Sequence, residues 1–136
     1  MRNTKPKEVE NSYEGIRVLI AEDEPMAAKL ARGALKLMGI TDVVVAEDGL
    51  EAVKKLKEYD GEFELIISDW NMPKLNGIEF LRAVRDLYPQ MPFIMLTAKA
   101  NKEFVLAAGK QGVNGYIVKP FSLDQVHQKV ESILAL

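Results

Sequence analysis

The sequence has no cysteine and only one histidine among its 136 residues. Without cysteine, disulfide bonds, thiol catalysis and thiolate metal sites are excluded, and the absence of cysteine fits a reducing compartment. The single histidine, His127, falls in the last predicted helix, away from the acidic residues discussed below. We interpret it as a solvated helix residue and assign it neither as a metal ligand nor as a phosphohistidine.

Long apolar runs and an excess of either charge are also missing. The longest apolar runs have the length of a strand, whereas a membrane span needs about 20 residues. Residues 1–15 are polar and lack the apolar segment of a signal peptide, so we predict a flexible tail there and one domain over residues 16–136. The formal net charge of −2 gives no electrostatic attraction to nucleic acid or to an anionic membrane. We therefore expect a cytoplasmic protein with neither as a partner.

From Ile16 onward, short apolar runs alternate with helical patterns. We predict five strands, at residues 17–21, 43–46, 65–69, 93–97 and 116–118. A helical pattern follows each strand, starting near Pro25, Asp48, Asn76, Glu103 and Ser122. Strands that alternate with helices favour a parallel sheet covered on both faces. The predicted fold class is α/β.

Local signals locate the helices more closely. Three pairs have the spacing of a capping box, namely Asp48 with Glu51, Asn76 with Glu79, and Ser122 with Gln125. Apolar spacing predicts that Leu37 lies on the buried face of the first helix and Leu50 on the buried face of the second.

Polar side chains follow four of the five predicted strands. Glu22 and Asp23 come after the first strand, Asp69 ends the third, Thr97 ends the fourth, and Lys119 follows the fifth. Because the carboxyl ends of parallel strands meet at one edge of the sheet, we expect these side chains to converge. Clustered carboxylates raise at least one pKa unless they share a cation. Oxygen ligands without Cys or His favour a hard ion such as Mg²⁺.

Three segments carry a resemblance to a known family. They are residues 66–73 (IISDWNMP), 95–98 (MLTA) and 115–121 (GYIVKPF). Together they resemble the receiver domain of two-component response regulators, in particular the single-domain chemotaxis receivers. The resemblance extends over residues 17 to about 134. It implies a flavodoxin-like (βα)5 doubly wound sandwich with a five-stranded parallel sheet in the order 2-1-3-4-5.

The resemblance also implies a phosphoacceptor and a metal site. Asp69 would accept the phosphoryl group from the phosphohistidine of a sensor histidine kinase. Asp23, Asp69 and the backbone carbonyl of Asn71 would bind Mg²⁺, with Mn²⁺ as a substitute, and Glu22 would contribute through water. Such a domain catalyses only its own phosphorylation and dephosphorylation and is not otherwise an enzyme.

The remaining implied residues contact the phosphoryl group or respond to it. Lys119 would neutralise its charge, and Thr97 and the backbone N–H of Ala98 would donate hydrogen bonds to it. A cis peptide before Pro120 would direct Lys119 into the site. Phosphorylation would draw Thr97 inward and let Tyr116 turn from exposed to buried.

The turn of Tyr116 would remodel the face formed by the fourth helix, fifth strand and fifth helix. That face would bind a downstream protein, with the flagellar motor switch as one target, and we expect a monomer.

Two positions depart from the chemotaxis receivers, and the residues also bear on several alternative functions. Glu22 replaces Asp, and Lys99 occupies a variable position that tunes phosphoryl lifetime, so no lifetime is inferred. A haloacid-dehalogenase-like phosphatase would need an acid where Asn71 stands. A flavodoxin would need a phosphate-binding loop where residues 22–24 are acidic. Two alternatives stay open: a receiver excised from a hybrid kinase or larger regulator that relays phosphoryl groups, and a degenerate receiver that only binds partners.

Overall fold

The computed structural model describes residues 13–98 and 102–134. The strands are β1 (Arg17–Ala21), β2 (Asp42–Ala46), β3 (Leu65–Asp69), β4 (Phe93–Thr97) and β5 (Gly115–Val118). The helices are α1 (Pro25–Leu37), α2 (Gly49–Glu58), α3 (Gly77–Leu87), α4 (Lys102–Lys110) and α5 (Leu123–Leu134). Most of the predicted tail, residues 1–12, and Lys99 lie outside the described residues. Among the helices described, none is long and apolar enough to cross a bilayer.

The five strands form one parallel sheet in the order β2-β1-β3-β4-β5. The predicted fold class and strand order are therefore confirmed. The predicted strands agree with the observed ones except that β2 and β5 each begin one residue earlier, at Asp42 and Gly115.

Alternating residues of each strand point to opposite faces of the sheet, and each face is covered by helices. On one face, Val18, Ile20, Leu65 and Ile67 join a buried cluster with α1 and α5. On the other face, the intervening residues of the same strands pack against α2 and α3. The central strand β3 is fully buried, which explains its continuous apolar sequence before Asp69.

Two predicted buried residues are exposed, which corrects the apolar patterns for α1 and α2. Leu37 is 75% exposed and Leu50 is 54% exposed. The reason in α2 is that the helix turns Gly49 and Ala52 toward the core. A Cβ at Gly49 would overlap the backbone of Leu75, so only glycine allows this approach. In α1 the core contacts come from Ala31, Ala34 and Leu35.

The predicted capping pairs begin three of the helices. Asn76 and Glu79 form a reciprocal capping box, with both backbone N–H bonds at 2.9 Å. Ser122 and Gln125 do the same before α5, at 2.8 and 3.1 Å. Before α2 the box is incomplete. Asp48 accepts a hydrogen bond from the N–H of Glu51 at 2.8 Å, whereas the Glu51 carboxylate accepts from the N–H of Glu47 at 2.6 Å.

Gly77 brings the start of α3 directly against the end of β3. Its N–H donates to the carbonyl of Trp70 at 2.7 Å. A Cβ at Gly77 would lie 2.5 Å from the carbonyl oxygen of Asp69 and 2.8 Å from the Cα of Trp70. This close approach holds the backbone that carries Asp69 in place.

Candidate functional site

Carboxylates from two adjacent strands converge at the carboxyl edge of the sheet. β1 and β3 are neighbours, with Ala21 opposite Ser68, so the residues that follow each of them meet. The side chains of Glu22, Asp23 and Asp69 each offer an oxygen, and these oxygens lie within 4.8 Å of one another. The convergence of the carboxylates predicted from the strand ends is therefore present.

The three carboxylates differ in their contact with solvent. Glu22 is 2% exposed and Asp69 is 6% exposed, whereas Asp23 is open to water. Asp69 Oδ1 accepts a hydrogen bond from the N–H of Trp70 at 2.8 Å. This bond fixes the carboxylate and leaves Oδ2 to face the cluster. A nearly buried acid beside an exposed one makes a site that a ligand can reach from one side.

Lys119 supplies the positive charge of the cluster. Its Nζ lies 2.9 Å from Glu22 Oε1, 3.0 Å from Glu24 Oε1 and 3.3 Å from Asp69 Oδ2. Burial alone would lower the pKa of Lys119, but hydrogen bonds and charges from these acids outweigh it, so the pKa lies above its usual value. The ammonium therefore stays charged at physiological pH. The peptide bond to Pro120 is cis, as predicted.

The pKa of Glu22 is raised to about 7, and burial is the main cause. The neighbouring charge of Asp69 raises it further, whereas Lys119 and the N–H of Glu24 lower it. A carboxylate with this pKa is only partly ionised at neutral pH, which a bound cation would change.

The other predicted site residues lie around this cluster. Thr97 is buried at the end of β4, and its carbonyl accepts the N–H of Lys119 at 2.7 Å. Ala98 follows it and is exposed, as is Asn71 in the connection from β3 to α3. Trp70, which follows Asp69, is half-buried and packs against the core on the α2–α3 side of the sheet.

Tyr116 is separated from the cluster by the end of β5. Its ring packs against the core on the α2–α3 side of the sheet. The hydroxyl is buried and has no hydrogen-bond partner among the residues described. Tyr116 also lines a cavity of about 460 Å³ between β5 and α5, together with Val118, Gln125 and Lys129.

The residues present fit a hard divalent cation. The donors are all oxygen atoms. The carboxylates of Glu22, Asp23 and Asp69 form the cluster, and among the residues described the ammonium of Lys119 contacts Glu22, Asp69 and a fourth carboxylate, that of Glu24. This excess of negative charge favours a bound cation, and carboxylate oxygens suit Mg²⁺.

The sequence pattern did not predict one contact of the site. Glu24 reaches Lys119, which lies 95 positions further along the chain. The only local signal was a third acid after Glu22 and Asp23. The direction of the Glu24 side chain depends on the path of the chain from β1 into α1, so the sequence pattern did not indicate the contact with Lys119.

A parallel sheet of this order, with acids and a lysine at its carboxyl edge, defines a receiver domain of the response-regulator type. Residues 18–131 match the family described as the response regulator receiver domain. The chain therefore belongs to the response regulator receiver family, a class of two-component signalling domains.

Comparisons with individual proteins agree with this family. The chain is 36% identical over 120 residues to the chemotaxis protein CheY of Pseudomonas aeruginosa, covering 87% of this chain and 95% of that protein. Among solved structures, the chemotaxis protein CheY4 of Vibrio cholerae superimposes with a TM-score of 0.79 at 32% identity, covering 87% of this chain and 98% of that one. A CheX–CheY–BeF3–Mg²⁺ complex from Borrelia burgdorferi matches with a TM-score of 0.83 at 29% identity, covering 87% of this chain and 88% of that one.

Proposed function

We propose that this domain receives a phosphoryl group on Asp69 from the phosphohistidine of a sensor histidine kinase. A carboxylate oxygen of Asp69 attacks phosphorus and forms the new O–P bond, while the N–P bond breaks and the histidine nitrogen leaves with its electron pair. The single observation that carries the proposal is the position of Asp69. Its Oδ2 lies 3.3 Å from Lys119 Nζ, within an acid cluster at the carboxyl edge of a receiver fold.

We assign the metal ligands as Asp23, Asp69 and the backbone carbonyl of Asn71, with Glu22 acting through water. Mg²⁺, or Mn²⁺ in its place, would neutralise charge on the transferring group. The convergence of three carboxylates supports the assignment.

The protein itself supplies the rest of the electrostatic support. Lys119 balances negative charge on the phosphoryl oxygens, and Thr97 and the backbone N–H of Ala98 donate hydrogen bonds to them. Lys119 is already charged and lies 3.3 Å from Asp69 Oδ2, so the positive charge is in place when the phosphoryl group arrives.

Phosphorylation then switches the face formed by α4, β5 and α5 so that it binds a target protein. Thr97 and Tyr116 would be the switch residues, and the cavity beside Tyr116 lies on this face. The similarity to chemotaxis proteins favours a flagellar-motor target. Protein binding by the fold is illustrated by the CheX complex of the Borrelia relative. A phosphorelay intermediate is the alternative, with the same chemistry at Asp69 and a second histidine as the recipient.

Trp70 follows Asp69 directly and provides a fluorescence test of this function. We expect Mg²⁺ to change its emission, and acetyl phosphate or beryllofluoride to cause a second change. The second change should be missing in Asp69→Ala. If the folded protein responds to neither reagent, the acid cluster does not function as a phosphoacceptor site and the chain acts as a degenerate receiver.

Tyr116→Phe tests the proposed switch. The variant removes a buried hydroxyl that lacks a partner among the residues described, so we expect the free energy of unfolding to rise by about 1 kcal/mol. The substitution favours the buried position of the ring. Beryllofluoride should therefore shift the amide resonances of Val118, Gln125 and Lys129 less than in the wild type. Urea denaturation and ¹H–¹⁵N NMR measure the two effects.

The control for that experiment is Tyr59→Phe, because the ring of Tyr59 lies against Arg17 of β1, and β3 and β4 separate β1 from β5 in the sheet. It should leave the response to beryllofluoride unchanged. A full response of the α4–β5–α5 face in Tyr116→Phe would remove Tyr116 from the switch.

A further inference from the structure

Glu24 contacts Lys119 but does not belong to the cluster of three carboxylates that could bind a metal ion. Its Oε1 lies 3.0 Å from Lys119 Nζ, a distance close to that of the buried Glu22. However, the cluster of oxygens within 4.8 Å contains only Glu22, Asp23 and Asp69 among the residues described. The side chain of Glu24 is 65% exposed, whereas that of Glu22 is fully buried.

The backbone of Glu24 is anchored, and its side chain has no role in capping the helix. Glu24 occupies the N-cap position of α1, yet its side chain makes no capping hydrogen bond with the described residues. N-cap side chains usually bond the first backbone N–H groups of the helix. Here the N–H of Glu24 donates to Glu22 Oε2 at 3.1 Å, and the carboxylate extends to Lys119 instead.

Resting on the function proposed above, we propose that Glu24 is a positioning residue that competes with the phosphoryl group for Lys119. In the structure, Lys119 is shared among Glu22, Glu24 and Asp69. A phosphoryl group on Asp69 brings new oxygen acceptors to the same ammonium. Because Glu22 is buried and Glu24 is exposed, the contact with Glu24 is the one that can be given up.

The negative charge of Glu24 should affect the binding of cations and of anions in opposite directions. The charge of Glu24 attracts a divalent cation at the cluster but repels an anionic phosphoryl group and holds Lys119 away from it. Neutralising Glu24 should therefore weaken Mg²⁺ binding and strengthen the binding of beryllofluoride, the phosphoryl mimic. A general distortion of the site would weaken both.

The experiment compares wild type, Glu24→Gln, Glu24→Asp and the control Glu14→Gln. Glu14 is exposed and precedes β1, so it lies at the amino end of the strands, opposite the acid cluster. The substitution Glu14→Gln removes the same charge there. Trp70 fluorescence measures the affinity for Mg²⁺ alone and, in saturating Mg²⁺, for beryllofluoride. For Glu24→Gln we expect beryllofluoride to bind up to about fivefold more tightly and Mg²⁺ somewhat more weakly, the size expected for an exposed ion pair. Both effects should shrink at high salt.

Glu24→Asp separates the contact from the charge. Aspartate keeps the charge but has one methylene less, so it loses reach toward Lys119. We expect the Mg²⁺ affinity of wild type and a tighter beryllofluoride complex. Wild-type beryllofluoride affinity in both Glu24 variants, or weaker binding of both ligands in Glu24→Gln, would overturn the positioning role. If wild type itself fails to bind beryllofluoride, the proposed function fails instead, which keeps the two failures distinct.

Discussion

Asp69→Asn is expected to take up no phosphoryl group from acetyl phosphate in Mg²⁺, whereas wild type becomes phosphorylated. Asparagine keeps the oxygen that accepts the Trp70 N–H at 2.8 Å, so the backbone around the site should be preserved. The amide is no nucleophile at neutral pH, so covalent transfer should fall by about a thousandfold or more. Intact-protein mass spectrometry measures the added phosphoryl group directly.

The matched control for that variant is Asp86→Asn. Asp86 is exposed on α3, and the same substitution there removes the same charge away from the acid cluster. It should be phosphorylated as wild type is. If Asp69→Asn still carries a phosphoryl group, another residue is the acceptor and the assignment of Asp69 is wrong.

Glu22→Gln is expected to stabilise the metal-free protein at pH 8 by about 1–3 kcal/mol. The pKa of Glu22 is raised from 4.5 to about 7 in the folded protein, mainly by burial. That difference is equivalent to about 3 kcal/mol against the ionised form. Glutamine resembles the protonated acid in size and keeps an oxygen for the N–H of Glu24, but it removes the buried negative charge.

The pH dependence of stability follows from the fact that the folded protein binds the proton of Glu22 more tightly than the unfolded chain does. Between about pH 4.5 and 7, the folded protein holds a proton on Glu22 that the unfolded chain has released. The contribution of Glu22 to stability therefore falls as pH rises through this window. The loss is absent below pH 4.5 and complete above pH 7. Glu22→Gln lacks this titration, so its advantage should be largest at pH 8 and close to zero at pH 4.

Urea denaturation at pH 4 and pH 8, with EDTA and then with Mg²⁺, measures these differences. Mg²⁺ should stabilise wild type at pH 8 more than Glu22→Gln, because the cation offsets the buried charge. Glu14→Gln again controls for the loss of one exposed charge. An advantage of Glu22→Gln that is equal at both pH values would show that the charge of Glu22 is not the cause.

Much of the fold was predictable because local signals and topology agree. The continuous apolar sequence of β3 indicated a buried parallel strand, and the strand is buried throughout. Asn76 and Ser122 marked the starts of α3 and α5, where reciprocal capping boxes are present. A capping box involves only residues three positions apart, so it can be recognised in the sequence without knowledge of the tertiary packing.

The apolar patterns of the helices were less informative. Leu37 and Leu50 have the spacing of core residues but are exposed. Which face of a helix is buried depends on how closely the helix approaches its neighbours. In α2 the close approach of Gly49, the first residue of the helix, to Leu75 in the β3–α3 connection decides it. The spacing of apolar residues carries no information about this contact.

The sequence by itself determined which groups gather at one edge of the sheet. Asp69 ends a strand, and Glu22, Asp23 and Lys119 directly follow one. A parallel sheet brings such ends together. Only the tertiary structure decided how these groups share charge. Burial separates Glu22 from Asp23, although they are adjacent in the chain. Glu24 reaches Lys119 across 95 positions, because solvent exposure and side-chain direction are properties of the packed molecule and not of the strand pattern.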